Sequence, residues 1–215
     1  MCAIFGAADM GCFRVLYAAN LSRGDFAFSC LSEDAATYSI LKQKDKYHHG
    51  ISDIGKKYYV GHTQAPTSSA QTFDESTSHP FKCGHWIVAH NGVLTNYDEL
   101  IKLIPASSYN EVDSSVIPSL LTHQEGVFET EAGLILSVLA MLKGTYSLWL
   151  YNDETRNLYI ARCGSTLYAN KIDNKFSSVK VFDMEELEDG SLYQRTPEGL
   201  VNVGMFQSNS PFFIL

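Results

Sequence analysis

The sequence is short of paired cysteines, long apolar runs and clustered basic charge, and each shortage removes a class of protein. Its five cysteines, Cys2, Cys12, Cys30, Cys83 and Cys163, are odd in number, widely scattered and without a C-x-x-C pair. They suit neither a disulfide framework nor a zinc site, and they fit a reducing, cytoplasmic compartment best. No run of about 18 consecutive apolar residues occurs, so no membrane span is expected. The opening MCAIFGAADMGC also lacks the basic start, apolar run and cleavage site of a secretory signal. Lysine and arginine total 16 against 24 acidic residues, a formal charge of −8, and the densest basic stretch covers only 42–46. A nucleic-acid partner is therefore not expected.

What is present is enough apolar residue, 45% of 215 positions, to bury one good core, so a single domain over 1–215 is expected. Short runs rich in Val, Ile, Tyr and Phe predict strands at 2–6, 26–30, 58–62, 86–90, 145–151, 158–161, 179–182, 192–195 and 200–203. Apolar residues three and four apart predict helices at 33–41, 97–104, 115–122 and 130–142. Asn96 with Glu99 reads as a capping box, Pro105 as a stop, and Gly144 as the left-handed end of the last helix. Helices that cluster instead of alternating with strands imply an α+β fold. The polar stretch from Pro66 to Thr72, continuing through Ser76-Thr77-Ser78, reads as a loop.

Several residues carry possible chemistry. Removal of Met1 would leave Cys2 with a free α-amine, whose reference pKa of about 8 lies near the thiol's of about 8.5. That amine could take the thiol proton without a histidine; the alternative is an inert strand cysteine. His90-Asn91-Gly92 follows an apolar strand, where the Asn91 amide and the Gly92 N–H could hold a negative oxygen. The same Asn-Gly pair could instead be a tight hairpin turn. Asp113, ahead of a helix, could accept an ammonium or act as an ordinary N-cap. No histidines share a metal-binding spacing, and with a thiol and its own amine as the chemistry neither metal nor organic cofactor is expected.

In combination and order, these pieces resemble the class II glutamine amidotransferase family of N-terminal-nucleophile glutaminases. The resemblance runs through MCAIFG, the Leu21-Ser22-Arg23-Gly24 turn, GHTQAPT at 61–67, HPF at 79–81 and VAHNGVLTNYDEL at 88–100. It continues through VDSSVI at 112–117, KGTYSLWLYN at 143–152, YIARCGSTLY at 159–168 and the closing LEDGSLYQRTPEGLVNV. It implies a four-layer αββα sandwich, glutamine as substrate, Cys2 as nucleophile, and Asn91 with Gly92 as the oxyanion hole. Asp113 would bind the α-ammonium, with His90, Arg23, Gln64 and Thr67 also at the substrate; Arg23 lies near the nucleophile and Thr67 in the glutamine loop. Gln64 stands where the family's GHTRWAT pattern has a carboxylate-binding arginine, a strong charge-assisted contact that a neutral amide does not replace. The resemblance also implies ammonia delivery to a synthase; with none expected in this chain, that partner would be a separate subunit, and a homo-oligomer is compatible with the sequence. The apolar tail at 211–215 is one candidate docking segment. Two other functions are compatible with Gln64: a catalytically impaired binding or regulatory subunit, and an amide hydrolase for a different γ-glutamyl or acyl amide.

Overall fold

The computed structural model describes residues 2–45, 56–66, 72–181 and 183–207. In chain order the elements are β1 (Ala3–Ala7), α1 (Met10–Asn20), β2 (Ala27–Glu33), β3 (Tyr38–Lys44), β4 (Tyr58–Gln64), β5 (Phe81–Cys83) and β6 (Trp86–Leu94). Then come α2 (Tyr97–Leu100), α3 (Val116–His123), α4 (Glu131–Met141), β7 (Gly144–Asn152) and β8 (Leu158–Cys163). The chain closes with β9 (Tyr168–Asn170), β10 (Lys175–Ser177), β11 (Glu185–Glu186), β12 (Ser191–Thr196) and β13 (Gly199–Met205). Two compact units result, one from Met1–Pro80, Thr166–Glu186 and Thr196–Leu200, the other from Phe81–Ser165, Leu187–Arg195 and Val201–Leu215.

The first unit is built on a seven-stranded sheet of order β11-β9-β10-β1-β4-β2-β3. One face carries α1, whose Met10, Phe13, Leu16 and Tyr17 form the apolar stripe of an amphipathic helix and are all buried. They pack on Phe5, Ala7, Phe28, Cys30 and Tyr59 from the alternate positions of β1, β2 and β4. The Phe5–Phe13 and Tyr17–Phe28 ring centroids lie 5.2 and 5.0 Å apart. Asp9 starts the helix, its Oδ1 accepting from Cys12 N at 2.7 Å.

The second unit has a six-stranded sheet of order β13-β12-β8-β7-β6-β5. Val116 and Leu120 of α3 with Leu134 and Val138 of α4 bury against Trp86 and Val88 of β6, Leu148 of β7 and Ala161 of β8. Pro118 is tolerated because it stands in the first turn of α3, where its missing N–H costs little. Two antiparallel sheets, each with its own helices, are the α+β fold expected.

The local differences have physical causes. The helix predicted over 33–41 is the end of β2, a tight turn and the start of β3. Asp34 makes that turn, its Oδ1 accepting from Ala36 N and Thr37 N at 2.8 and 2.7 Å. Helix α1, not anticipated from the sequence, has a run rich in Phe, Val and Tyr whose helical spacing is legible once Asp9 is seen as its cap. The segment predicted as a strand at 179–182 is not one over 179–181, and 182 lies outside the described residues; the strand comes earlier, at β10. Asn96 makes no side-chain cap; its amide instead donates to Met141 O at 2.9 Å and accepts from Lys143 N at 2.9 Å. Gly144, at φ +130°, opens β7, and α4 ends in extended backbone at Leu142. Residues 67–71 of the predicted loop and the tail at 211–215 lie outside the described residues. Among the described residues no helix is long and apolar enough to cross a membrane.

Candidate active site

In the first unit, Cys2 stands half-buried immediately before β1. β1 and β4 pair antiparallel with Ala3 opposite Thr63. Cys2 is thus one residue before that pair and Gln64 one residue after it, at the same end of the sheet. Arg23 fastens this end, its Nε donating to the Cys2 carbonyl at 3.1 Å and its Nη1 to Thr166 Oγ1 at 2.8 Å and Ser178 O at 3.2 Å. Burial holds the guanidinium below its ordinary value, with the Cys2 and Tyr168 groups opposing. The bonds found for Arg23 thus hold the backbone beside the thiol, a role its sequence position left open.

The turn carrying Arg23 runs close under β4. A Cβ at Gly24 would come within 2.4 Å of Ala65 N, so only glycine fits without movement. Gln64 is 7% exposed, and its Oε1 has no hydrogen-bond partner among the described residues. A buried, unsatisfied amide oxygen is costly, and here it lies beside the sheet end that holds Cys2. Thr67 lies outside the described residues.

In the second unit, His90, Asn91 and Gly92 belong to the continuous strand β6, pairing with Leu148, Ser147 and Tyr146 of β7. The hairpin alternative for Asn-Gly is thereby corrected: hydrogen bonding to β7 carries the strand on to Leu94. Asn91 Nδ2 donates to Ser147 Oγ at 3.1 Å and Ser165 Oγ at 3.4 Å, fixing the amide. β5 pairs with β6 only over Trp86, Ile87 and Val88, so beyond Val88 the outer edge of β6 carries no strand among the described residues. Leu94 N donates at that edge to Asp113 Oδ2 at 3.0 Å. N–H groups two residues apart on a strand point the same way, so the Gly92 N–H faces the edge that bears Asp113.

Asp113 is not an N-cap; Val112 takes that place, and Asp113 begins a short 3₁₀ turn. Its Oδ1 accepts from Ser114 Oγ at 3.1 Å, and Ser114 Oγ lies 2.8 Å from His90 Nδ1. Burial pushes the His90 value down, opposed by the negative charge of Asp113 and by a bond to the Thr145 backbone. Ser114 and Ser147 were not singled out from the sequence, because serines in VDSSVI and GTYSLW carry no local sign of what they will meet. The structure thus groups Cys2, Arg23 and Gln64 in one unit, and His90, Asn91, Gly92 and Asp113 in the other.

A sequence profile for the glutamine amidotransferase domain matches residues 67–177. The glutamine–fructose-6-phosphate aminotransferase (isomerizing) of Staphylococcus aureus is 31% identical over 121 residues, which cover 54% of this chain and 20% of that protein. Its Staphylococcus epidermidis counterpart is 30% identical over 113 residues, 50% of this chain and 18% of that protein. The match thus spans about a fifth of the length of these curated relatives. Among solved structures, the glutamine phosphoribosylpyrophosphate amidotransferase of B. subtilis, complexed with ADP and GMP, gives a TM-score of 0.76 at 18% identity, covering 97% of this chain and 50% of that one. A glutamine aminotransferase class-II domain protein from Silicibacter pomeroyi gives a TM-score of 0.61 at 16% identity, covering 96% and 100%. These structural likenesses establish the fold, the one shared with these two proteins.

Proposed function

Because the chain belongs to the class II glutamine amidotransferase domain family, we propose that it hydrolyses the side-chain amide of glutamine with Cys2 as nucleophile and supplies the ammonia to a separate synthase. The observation that carries this reading is the Arg23 bond to the Cys2 carbonyl, which holds the backbone of a half-buried thiol in place. Once Met1 is removed, the α-amine of Cys2 takes the thiol proton, and the thiolate attacks the amide carbon. The Gly92 N–H and the Asn91 side-chain amide, which gives up its long 3.4 Å bond to Ser165 Oγ for the substrate, stabilise the negative oxygen; one such donor is worth about 2.7–4 kcal/mol of barrier. Collapse of the intermediate breaks the C–N bond, the α-ammonium gives its proton to the leaving nitrogen, and ammonia departs. Water then cleaves the thioester to glutamate and regenerates the thiol. Asp113 receives the substrate's α-ammonium, and neither metal nor organic cofactor takes part. The cytoplasm is the compartment we assign, since these thiols must stay reduced.

Gln64 favours a second substrate class for the same chemistry. Its neutral, buried amide suits a glutaminyl compound whose carboxylate is blocked, and such amides are to be assayed beside free glutamine. The test of the mechanism is intact-mass measurement together with Cys2→Ala. Active protein should lack Met1, a glutamine-mimicking electrophile should label Cys2, and Cys2→Ala should lose at least 10³-fold of ammonia release, on the order expected for a missing nucleophile. Active protein that retains Met1, or undiminished release from Cys2→Ala, would end this mechanism. Failure of glutamine and blocked amides alike, even in the wild type, would leave a binding subunit.

A further inference from the structure

We propose that His90 and Ser114 are positioning residues: they hold the Asp113 carboxylate in a set place relative to the donors on β6, and so determine how strongly a substrate's α-ammonium is preferred. The proposal rests on the glutaminase reading above and adds the residues that set its substrate discrimination. Ser114 has a single proton. Donated to Asp113 Oδ1 at 3.1 Å, it leaves the Ser114 oxygen to accept at 2.8 Å from an N–H on His90 Nδ1. The chain therefore runs His90 Nδ1–H to Ser114 Oγ–H to Asp113 Oδ1, and it requires a proton on His90 Nδ1.

The other carboxylate oxygen is also fixed, accepting the Leu94 N–H at 3.0 Å. Both anchors begin on β6, at His90 through its side chain and at Leu94, the last residue, through its backbone, and they bracket Asn91 and Gly92. His90 and Ser114 are buried, at 2% and 3% exposure, so water does not compete for these bonds. Asp113 itself is only partly buried, which leaves its remaining lone pairs for a cation. A carboxylate pinned at both oxygens loses little freedom on binding an ammonium, and its reach from the oxyanion donors is constant. A compound that carries both an amide and an ammonium can then engage the β6 donors and Asp113 together, whereas one without the ammonium engages only the donors.

Two measurements decide it. In protein labelled with ¹⁵N-histidine, the His90 ring should show a protonated Nδ1; an Nδ1 without a proton would make Ser114 donate to His90 and break the chain to Asp113, overturning the proposal whatever the enzyme's activity. In kinetics, the ratio of kcat/KM for glutamine to that for glutaramate, which lacks the α-ammonium, should fall about tenfold in Ser114→Ala through KM for glutamine, the order expected for losing a hydrogen bond to a charged group. Ser114→Thr, which keeps the hydroxyl, should restore most of it. An unchanged ratio in a folded Ser114→Ala protein that still turns over glutamine would overturn the positioning role alone. Wild-type protein that turns over neither compound would sink the glutaminase reading itself, a result visible before any substitution is made.

Discussion

Gly92 has a φ of +154°, and a Cβ built there would lie 1.9 Å from the carbonyl oxygen of Thr145. That atom is backbone in a paired strand and cannot move aside, so strain and collision act together. Gly92→Ala should lower the unfolding free energy by more than about 2 kcal/mol and abolish activity, as read by urea denaturation and ammonia release. His90 makes a second residue-scale prediction. Burial lowers its folded value below the ordinary histidine range, so on acidification the unfolded chain gains a proton that the folded one refuses. Stability is therefore complete above about pH 6.5 and falls below it, by up to about 1.4 kcal/mol per pH unit for one whole proton. His85 has the opposite sign, since Asp153 raises its value, giving stability at low pH that is lost as pH rises through that raised value. Its ring is half exposed, and solvent screening keeps the term small. Urea midpoints compared between about pH 7.5 and 5.5 should drop, and His90→Gln should flatten the slope.

At the level of elements, α1 depends on one side chain at its start. The Asp9 carboxylate satisfies the Cys12 N–H at 2.7 Å, and Asp9→Ala should cost about 1 kcal/mol by thermal or urea unfolding, with little change in the fold. The elements also show where sequence patterns were legible. β4, β7 and β8 begin within a residue of the predicted strands and run slightly past them, because Val-, Ile- and Tyr-rich runs flanked by turns have few alternatives. Glu33 to Leu41 misled because Ala35, Ala36, Ile40 and Leu41 satisfy a helical spacing while Tyr38 and Ile40 equally satisfy alternation. Pairing of Tyr38 with Glu33 and Ile40 with Leu31 decided for the strand. Asn96 has the sequence of a capping box, yet its amide joins the turn after α4, a partner about 45 residues away that no local pattern reveals.

For the molecule as a whole, each unit has a core that must be filled. Phe5, fully buried beneath α1, and Leu148, fully buried beneath α3 and α4, are its test points. Phe5→Ala should cost about 3–5 kcal/mol and Leu148→Ala about 2–5 kcal/mol, each by lost transfer energy plus a residual cavity. Urea unfolding of the two variants measures both, and losses below about 1 kcal/mol would mean the sites collapse around the change or were never packed as described.

By itself the sequence determined the α+β class, most strands, three of the four helices and the family, because these follow from short-range periodicity and from motifs read in order. It also singled out Cys2, Asn91, Gly92 and Asp113 as chemical groups. Only the tertiary structure decided what holds them. The Arg23 bond to the Cys2 carbonyl spans 21 positions, the Asn91 bond to Ser147 spans 56, and the His90 contact with Ser114 spans 24. Serines and an arginine that look ordinary in sequence become specific when strand register brings a distant donor within about 3 Å of an acceptor away from water. The same holds for Gly92, whose N–H is turned outward by its register with β7 toward an edge that β5 does not reach, a property of the sheet and not of the Asn-Gly pair.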